Sequence, residues 1–186
     1  MKNIILIGYR CTGKTSVGKE LSERLGLPFI DTDGLIMLDA GMPIDEIVQK
    51  GGWPLFRRKE QEVIAGLSSA EDIVIAPGGG ALEDPENREA LRQNGLFVWL
   101  TADIKTIVER MRSDRKSDGQ RPPLSDGDLE AQTALIIKKR EPTYRQLANL
   151  TIDTSHKGID AITDTICDFL EKEQTCQEIP SERSSV

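Results

Sequence analysis

The chain has 186 residues, 38% of them hydrophobic and 30% charged, with a formal net charge of −7 at pH 7. That length suits one domain with a sizeable core, or one domain plus a lid. Basic and acidic residues are interspersed without a broad basic face, which excludes nucleic acid as the main partner, and runs such as Leu96-Phe97-Val98-Trp99-Leu100 are too short to span a bilayer.

Met1-Lys2 leads straight into Asn3-Ile4-Ile5-Leu6-Ile7, so no signal peptide is read and a buried parallel strand is expected at 3–7. Next comes Gly8-Tyr9-Arg10-Cys11-Thr12-Gly13-Lys14-Thr15, which matches G-x-x-x-x-G-K-[ST]. A helix is expected at 14–25, ended by Gly26. Strand, glycine loop and helix together make this a phosphate-binding loop (P-loop). Its backbone N–H groups face one anion at a helix N-terminus, Lys14 reaches the β- and γ-phosphates, and the Thr15 hydroxyl ligates Mg²⁺.

Further strands are expected at 28–31, 72–76, 96–100 and 150–153, and further helices at 34–39, 44–50, 54–68, 85–94, 103–112, 128–147 and 159–172. Alternating strands and helices predict an α/β fold with a parallel sheet. Asp84-Pro85-Glu86 reads as a capped helix start. Residues 112–128 break the alternation with a polar, basic stretch, expected to be a mobile lid that brings an arginine to the transferring phosphate. Residues 1–173 form the domain, and 174–186 read as a disordered tail. Cys11, Cys167 and Cys176 lack metal-ligand spacing and fit a reducing, cytoplasmic compartment. Cys11 lies in the anion cradle, where a thiolate is favoured, although it also fits as a plain small residue.

Ligands of open α/β sheets bind beyond the carboxyl ends of the strands. There the second strand runs into Asp31-Thr32-Asp33 and the third into Pro77-Gly78-Gly79-Gly80. One aspartate could hold Mg²⁺ through water and the other orient an attacking hydroxyl, or either could cap a helix. The glycine triplet permits close approach of a ligand, or is only a tight turn. Arg57 and Arg58 are adjacent on a helix, so at most one aims into a site. His156 is expected to be exposed and not catalytic.

The P-loop, Asp31-Thr32-Asp33, Phe56-Arg57, Gly78-Gly79-Gly80, Arg121-Pro122 and Arg140 through Tyr144 together resemble the shikimate kinase family in order and spacing, over residues 1–172. The resemblance implies a three-layer α/β/α fold with a five-stranded parallel sheet in the order 2-3-1-4-5, and a helical substrate-binding region near 32–62. It implies ATP-dependent phosphorylation of the 3-hydroxyl of shikimate in aromatic amino-acid biosynthesis, by a monomer. By the resemblance, Lys14, Asp33 and Arg121 carry catalysis, with Asp33 the proposed base. Asp33, Arg57, Gly78, Gly79, Gly80 and Arg140 contact substrate, the two arginines clamping its carboxylate. ATP is expected on Cys11, Thr12, Gly13, Lys14, Thr15, Ser16, Arg121 and Lys157, and Mg²⁺ on Thr15 and, through water, Asp31. Adenine contacts are expected near Arg112 and in Thr154-Ser155-His156-Lys157. Three places depart from the family pattern: Trp53-Pro54 where a glutamate usually follows the glycine, the stiffer Arg121-Pro122-Pro123-Leu124, and the bulky Tyr9-Arg10-Cys11 insert. Rival readings are another small-molecule kinase of the same architecture, for example one acting on gluconate, and a nucleotide-binding regulator without catalysis.

Overall fold

The sequence of β1 (Asn3–Ile7) is apolar at four successive positions because both faces of that strand are covered. Ile4 and Leu6 join an apolar cluster with Val17, Leu21, Ile162 and Ile166, while Ile5 and Ile7 join another with Ile64, Leu91, Tyr144 and Leu147. Alternate side chains therefore feed opposite layers, as a strand with helices on both sides requires. Asn3, polar but buried, donates its side-chain amide to Ala70 O at 2.7 Å and accepts from Ile73 N at 3.3 Å.

The computed structural model describes residues 2–113 and 129–177. After β1 come α1 (Lys14–Leu25), β2 (Phe29–Asp31), α2 (Thr32–Ala40), α3 (Ile44–Leu67), β3 (Val74–Ala76), a 3-10 turn (Ala81–Glu83) and α4 (Pro85–Arg92). Then follow β4 (Gly95–Thr101), α5 (Ile104–Ser113), α6 (Leu129–Leu147), β5 (Leu150–Asp153) and α7 (Ile159–Gln177). The sheet has five strands in the order β2-β3-β1-β4-β5, all paired in parallel, as expected. A third apolar cluster, Ile36, Ile44, Ile47 and Phe56, lies between α2 and α3.

The departures from expectation are local. The expected pair of helices at 44–50 and 54–68 occurs as one span broken at Gly52, whose φ of 67° and ψ of −179° are not helical. Pro54 then sits in the first turn of the second segment, where its missing N–H costs no hydrogen bond. The last helix continues to Gln177, four residues into the segment expected as a tail. Residues 114–128 of the expected lid, Arg121 among them, and residues 178–186 lie outside the described residues.

Gly8 ends β1 at a φ of +144°, and a methyl group there would stand 2.2 Å from the backbone oxygen of Leu100. Backbone cannot swing aside as a side chain can. Gly8→Ala is expected to cost about 3 kcal/mol of stability, read as a lowered midpoint of thermal unfolding.

Candidate active site

The P-loop carries the chain from β1 into α1. Gly13 caps that helix at a φ of 99° and offers no side-chain cap, so the first turn presents bare N–H groups suited to an anion. Thr12 is buried and donates to Tyr9 O at 2.8 Å, which braces the loop from within. Lys14 Nζ lies across the loop, donating to Gly8 O at 3.0 Å and Tyr9 O at 2.8 Å. Cys11 is a non-glycine residue at a φ of 60°.

Asp31 caps a helix, one of the roles open to it, and also meets Thr15. Its Oδ1 accepts from Asp33 N at 3.1 Å and Gly34 N at 3.4 Å and so caps α2, which explains why that helix starts two residues earlier than expected. Its Oδ2 accepts from the Thr15 hydroxyl at 2.9 Å. Those two hard oxygens border a cleft of about 390 Å³ that also holds Lys14, Cys11 and Asp33. Among the described residues no three His, Cys, Asp or Glu side chains gather as a metal cage. An oxygen pair beside a phosphate site is still the donor set Mg²⁺ uses, with phosphates and waters completing its shell.

A second cleft, of about 260 Å³, opens from the first and is walled by α2, α3, α6 and the glycine triplet. Its residues include Asp33, Trp53, Phe56, Arg57, Glu60 and Arg140. Arg57 faces the cleft while Arg58 is exposed, in line with their helical offset. The Arg57 guanidinium is ion-paired with Glu60, which is 0% exposed, and its carbon lies 5.3 Å from the Phe56 ring and 5.8 Å from the Trp53 ring. Trp53 therefore does line the cleft wall, standing edge-on to Phe56 with ring centres 5.7 Å apart. Arg140 is held by Glu83, whose Oε1 accepts from Nε at 2.8 Å and Nη2 at 2.7 Å. Partial burial disfavours the Glu83 charge, but Lys139 and Arg140 outweigh it and hold its carboxyl below the ordinary value. The Tyr144 hydroxyl donates to Gly79 O, and burial pushes its phenol up to about 12 despite the nearby Arg140.

The glycine triplet both turns and permits close approach: Ala81 N donates to Gly78 O at 2.9 Å across Gly79 and Gly80. None of Gly78, Gly79 and Gly80 has a positive φ. A methyl group on Gly78 would lie 2.7 Å from Asp33 Oδ1 and 2.9 Å from Glu60 Oε1. On Gly80 it would lie 2.5 Å from Arg57 Nη2 and 2.9 Å from Arg140 Nη2. The absent side chains are what let two acids and two arginines close around one space.

A third cleft, of about 340 Å³, lies on the other side of the P-loop and includes Cys11, Thr12, Gly13, Ser16 and Lys157, all expected at ATP. Near Arg112, where adenine contacts are expected, two arginines differ in direction. Arg112 is exposed, whereas Arg110 turns inward, donating to Cys11 O at 3.2 Å, Thr154 Oγ1 at 3.2 Å and Thr154 O at 2.7 Å. Arg110 follows the buried Ile107 by three residues and so shares its inward face, whereas Arg112 points away. His156 is exposed, as expected.

A donor-phosphate cleft that opens sideways into an acceptor cleft is the plan of a small-molecule kinase on the P-loop fold. Paired guanidinium groups suit an acidic acceptor, since arginine grips carboxylates with two parallel bonds. The family model for shikimate kinase matches residues 10–171. A shikimate kinase of Syntrophus aciditrophicus is 44% identical over 173 residues, covering 89% of each chain, and one of Symbiobacterium thermophilum is 40% identical, covering 92% of this chain and 96% of that one. The solved structure of shikimate kinase from Acinetobacter baumannii in complex with shikimate superposes with a TM-score of 0.85 at 34% identity, covering 93% of this chain and 94% of that one. The chain belongs to the shikimate kinase family.

Proposed function

We propose that this chain transfers the γ-phosphoryl group of ATP to the 3-hydroxyl of shikimate, giving shikimate 3-phosphate and ADP on the way to aromatic amino acids. The observation that carries the reading is the meeting of Arg57, Arg140 and Asp33 around the glycine triplet, beside the P-loop. Gluconate is a poorer fit, because a rigid ring acid matches two fixed guanidinium groups better than a flexible chain does.

The P-loop N–H groups and Lys14 hold the β- and γ-phosphates, with Lys14 exchanging its loop carbonyls for phosphate oxygens. Arg57 and Arg140 grip the acceptor carboxylate. Their partners Glu60 and Glu83 fix each fork so that little rotamer freedom is lost on binding. Asp33 then orients the acceptor hydroxyl towards phosphorus and accepts its proton. Thr15 and Asp31 would hold Mg²⁺, which when bound neutralises phosphate charge. Cys11, Thr12, Gly13 and Ser16 line the nucleotide cleft with Lys157, and Arg110 joins them. Arg121 would reach ATP from the lid. The reading also takes the enzyme to be a cytoplasmic monomer. Among the described residues no helix is long and apolar enough to cross a membrane.

ADP release with Mg·ATP and shikimate, quinate or gluconate tests the reading. Turnover with shikimate at least about 100-fold above the others in kcat/KM supports it, because differential binding of that size is within reach of a fitted polar site. ATP binding without shikimate-dependent turnover would instead favour the non-catalytic regulator. Gly80→Ala offers a finer check. The atoms that its methyl group meets are ends of flexible side chains, so unfolding should shift by less than about 1 kcal/mol while the displaced forks raise the shikimate KM about tenfold.

A further inference from the structure

The arginines around these clefts differ in what they already hold. Arg57 is committed to Glu60, Arg140 to Glu83, and Arg110 to oxygens of Cys11 and Thr154. Arg10 is different. It forms no ion pair among the described residues, and its Nε is buried there without a hydrogen-bond partner. Its guanidinium carbon stands 5.9 Å from the ring of Tyr9, a contact that leaves the N–H edges unspent. A buried N–H of a charged group without an acceptor is costly, and such an orphan in a native site calls for a ligand.

The position of Arg10 says which ligand. Arg10, Asp33, Gly78 and Gly79 border both the donor-phosphate cleft and the acceptor cleft. Lys14 lines only the first, and Arg57 and Arg140 only the second. Among the described residues Arg10 is thus the cation that borders both, and Asp33 is the acid that does so. A group passing from one cleft to the other carries negative charge past an acid, so a cation is needed at that point.

We infer that the Arg10 guanidinium holds the phosphoryl group as it passes from ATP to the acceptor hydroxyl, and afterwards holds the phosphate ester of the product. The inference rests on the function proposed above. In the step, the bond from γ-phosphorus to the β–γ bridging oxygen breaks and its electron pair stays on ADP. A bond forms from phosphorus to the acceptor oxygen, whose proton goes to Asp33. Arg10 takes no proton and makes no covalent bond. Its planar fork donates to two phosphoryl oxygens, which a point-charge ammonium does less well. Arg10 is thereby a catalytic residue contributed by the P-loop insert itself.

Full-length Arg10→Ala and Arg10→Lys test this, by steady-state turnover of shikimate with Mg·ATP and by titration with shikimate, shikimate 3-phosphate and ADP. Arg10→Ala should lose about 100-fold or more in kcat, as removal of one preorganised donor to developing charge does. Its affinity for shikimate should stay within about 3-fold and its affinity for shikimate 3-phosphate fall at least about 10-fold, because only the ester carries the group Arg10 holds. Arg10→Lys should recover part of both losses. An Arg10→Ala enzyme with unchanged kcat overturns the inference. So does equal weakening towards shikimate and its ester, which would make Arg10 a third carboxylate anchor. If Arg10→Ala does not bind ADP or does not fold, Arg10→Lys decides, and wild-type kcat and ester affinity in that variant overturn the fork role. A wild-type chain inert towards shikimate would overturn the acceptor assignment itself, a result separate from an active wild type matched by an equally active Arg10→Ala.

Discussion

Asp33→Asn is expected to cut kcat by about 10³-fold while leaving ADP affinity within about 3-fold of wild type, since general-base assistance contributes on that scale. The variant keeps the shape of the side chain and loses its charge and its capacity to take a proton. The local fold should survive, because Asp33 is tied into the first turn of α2 through its backbone N–H to Asp31 Oδ1, a bond the substitution does not touch. The side chain also packs closely against Gly78, where an added methyl group would lie 2.7 Å from Oδ1. A coupled ADP-release assay with a parallel ADP titration separates the two quantities. Wild-type turnover in this variant would remove Asp33 from the mechanism.

Arg57→Ala has two consequences of different origin. The shikimate KM should rise about 30-fold or more, the loss expected when one partner of a charged, two-bond contact is removed. Stability should fall by about 3 kcal/mol, because Glu60 is 0% exposed and loses its guanidinium partner inside the protein. The double variant Arg57→Ala with Glu60→Gln separates them. Neutralising the stranded acid should restore most of the unfolding midpoint and none of the substrate affinity. If KM in Arg57→Ala is unchanged, the clamp is misassigned. If stability is unchanged, the Glu60 pair carries no net energy.

Where a function depends on local spacing, the residues could be read along the chain. The P-loop needs glycines, a lysine and a hydroxyl at fixed offsets within one strand–loop–helix unit, and β1, α1 and Gly26 lie where that pattern puts them. The strand order was less open to such reading. It came from resemblance, since alternating elements predict a parallel sheet but not which strands are neighbours. Glu60 could have been found, lying three residues after Arg57 on one helix, the spacing at which opposite charges meet. Glu83 had no such signal, because its contact with Arg140 spans 57 residues and exists only once the 3-10 turn packs near α6. That Gly78-Gly79-Gly80 both turns and permits close approach likewise needed coordinates, since the second depends on what stands opposite each α-carbon. Which arginine near Arg112 turns inward was legible from helical phase, since Arg110 lies three residues after the buried Ile107.

The cluster of Ile36, Ile44, Ile47 and Phe56 shares no member with the two clusters that clamp the sheet. The acceptor wall therefore has a core of its own, and its cohesion is set by those few side chains rather than by the strands that carry the P-loop. Of its members, Ile44 lines both clefts and Phe56 only the acceptor cleft, so substitutions at Phe56 should act on the acceptor side alone. The wall that meets the acceptor and the strands that carry the P-loop thus rest on separate packing, joined at Ile44.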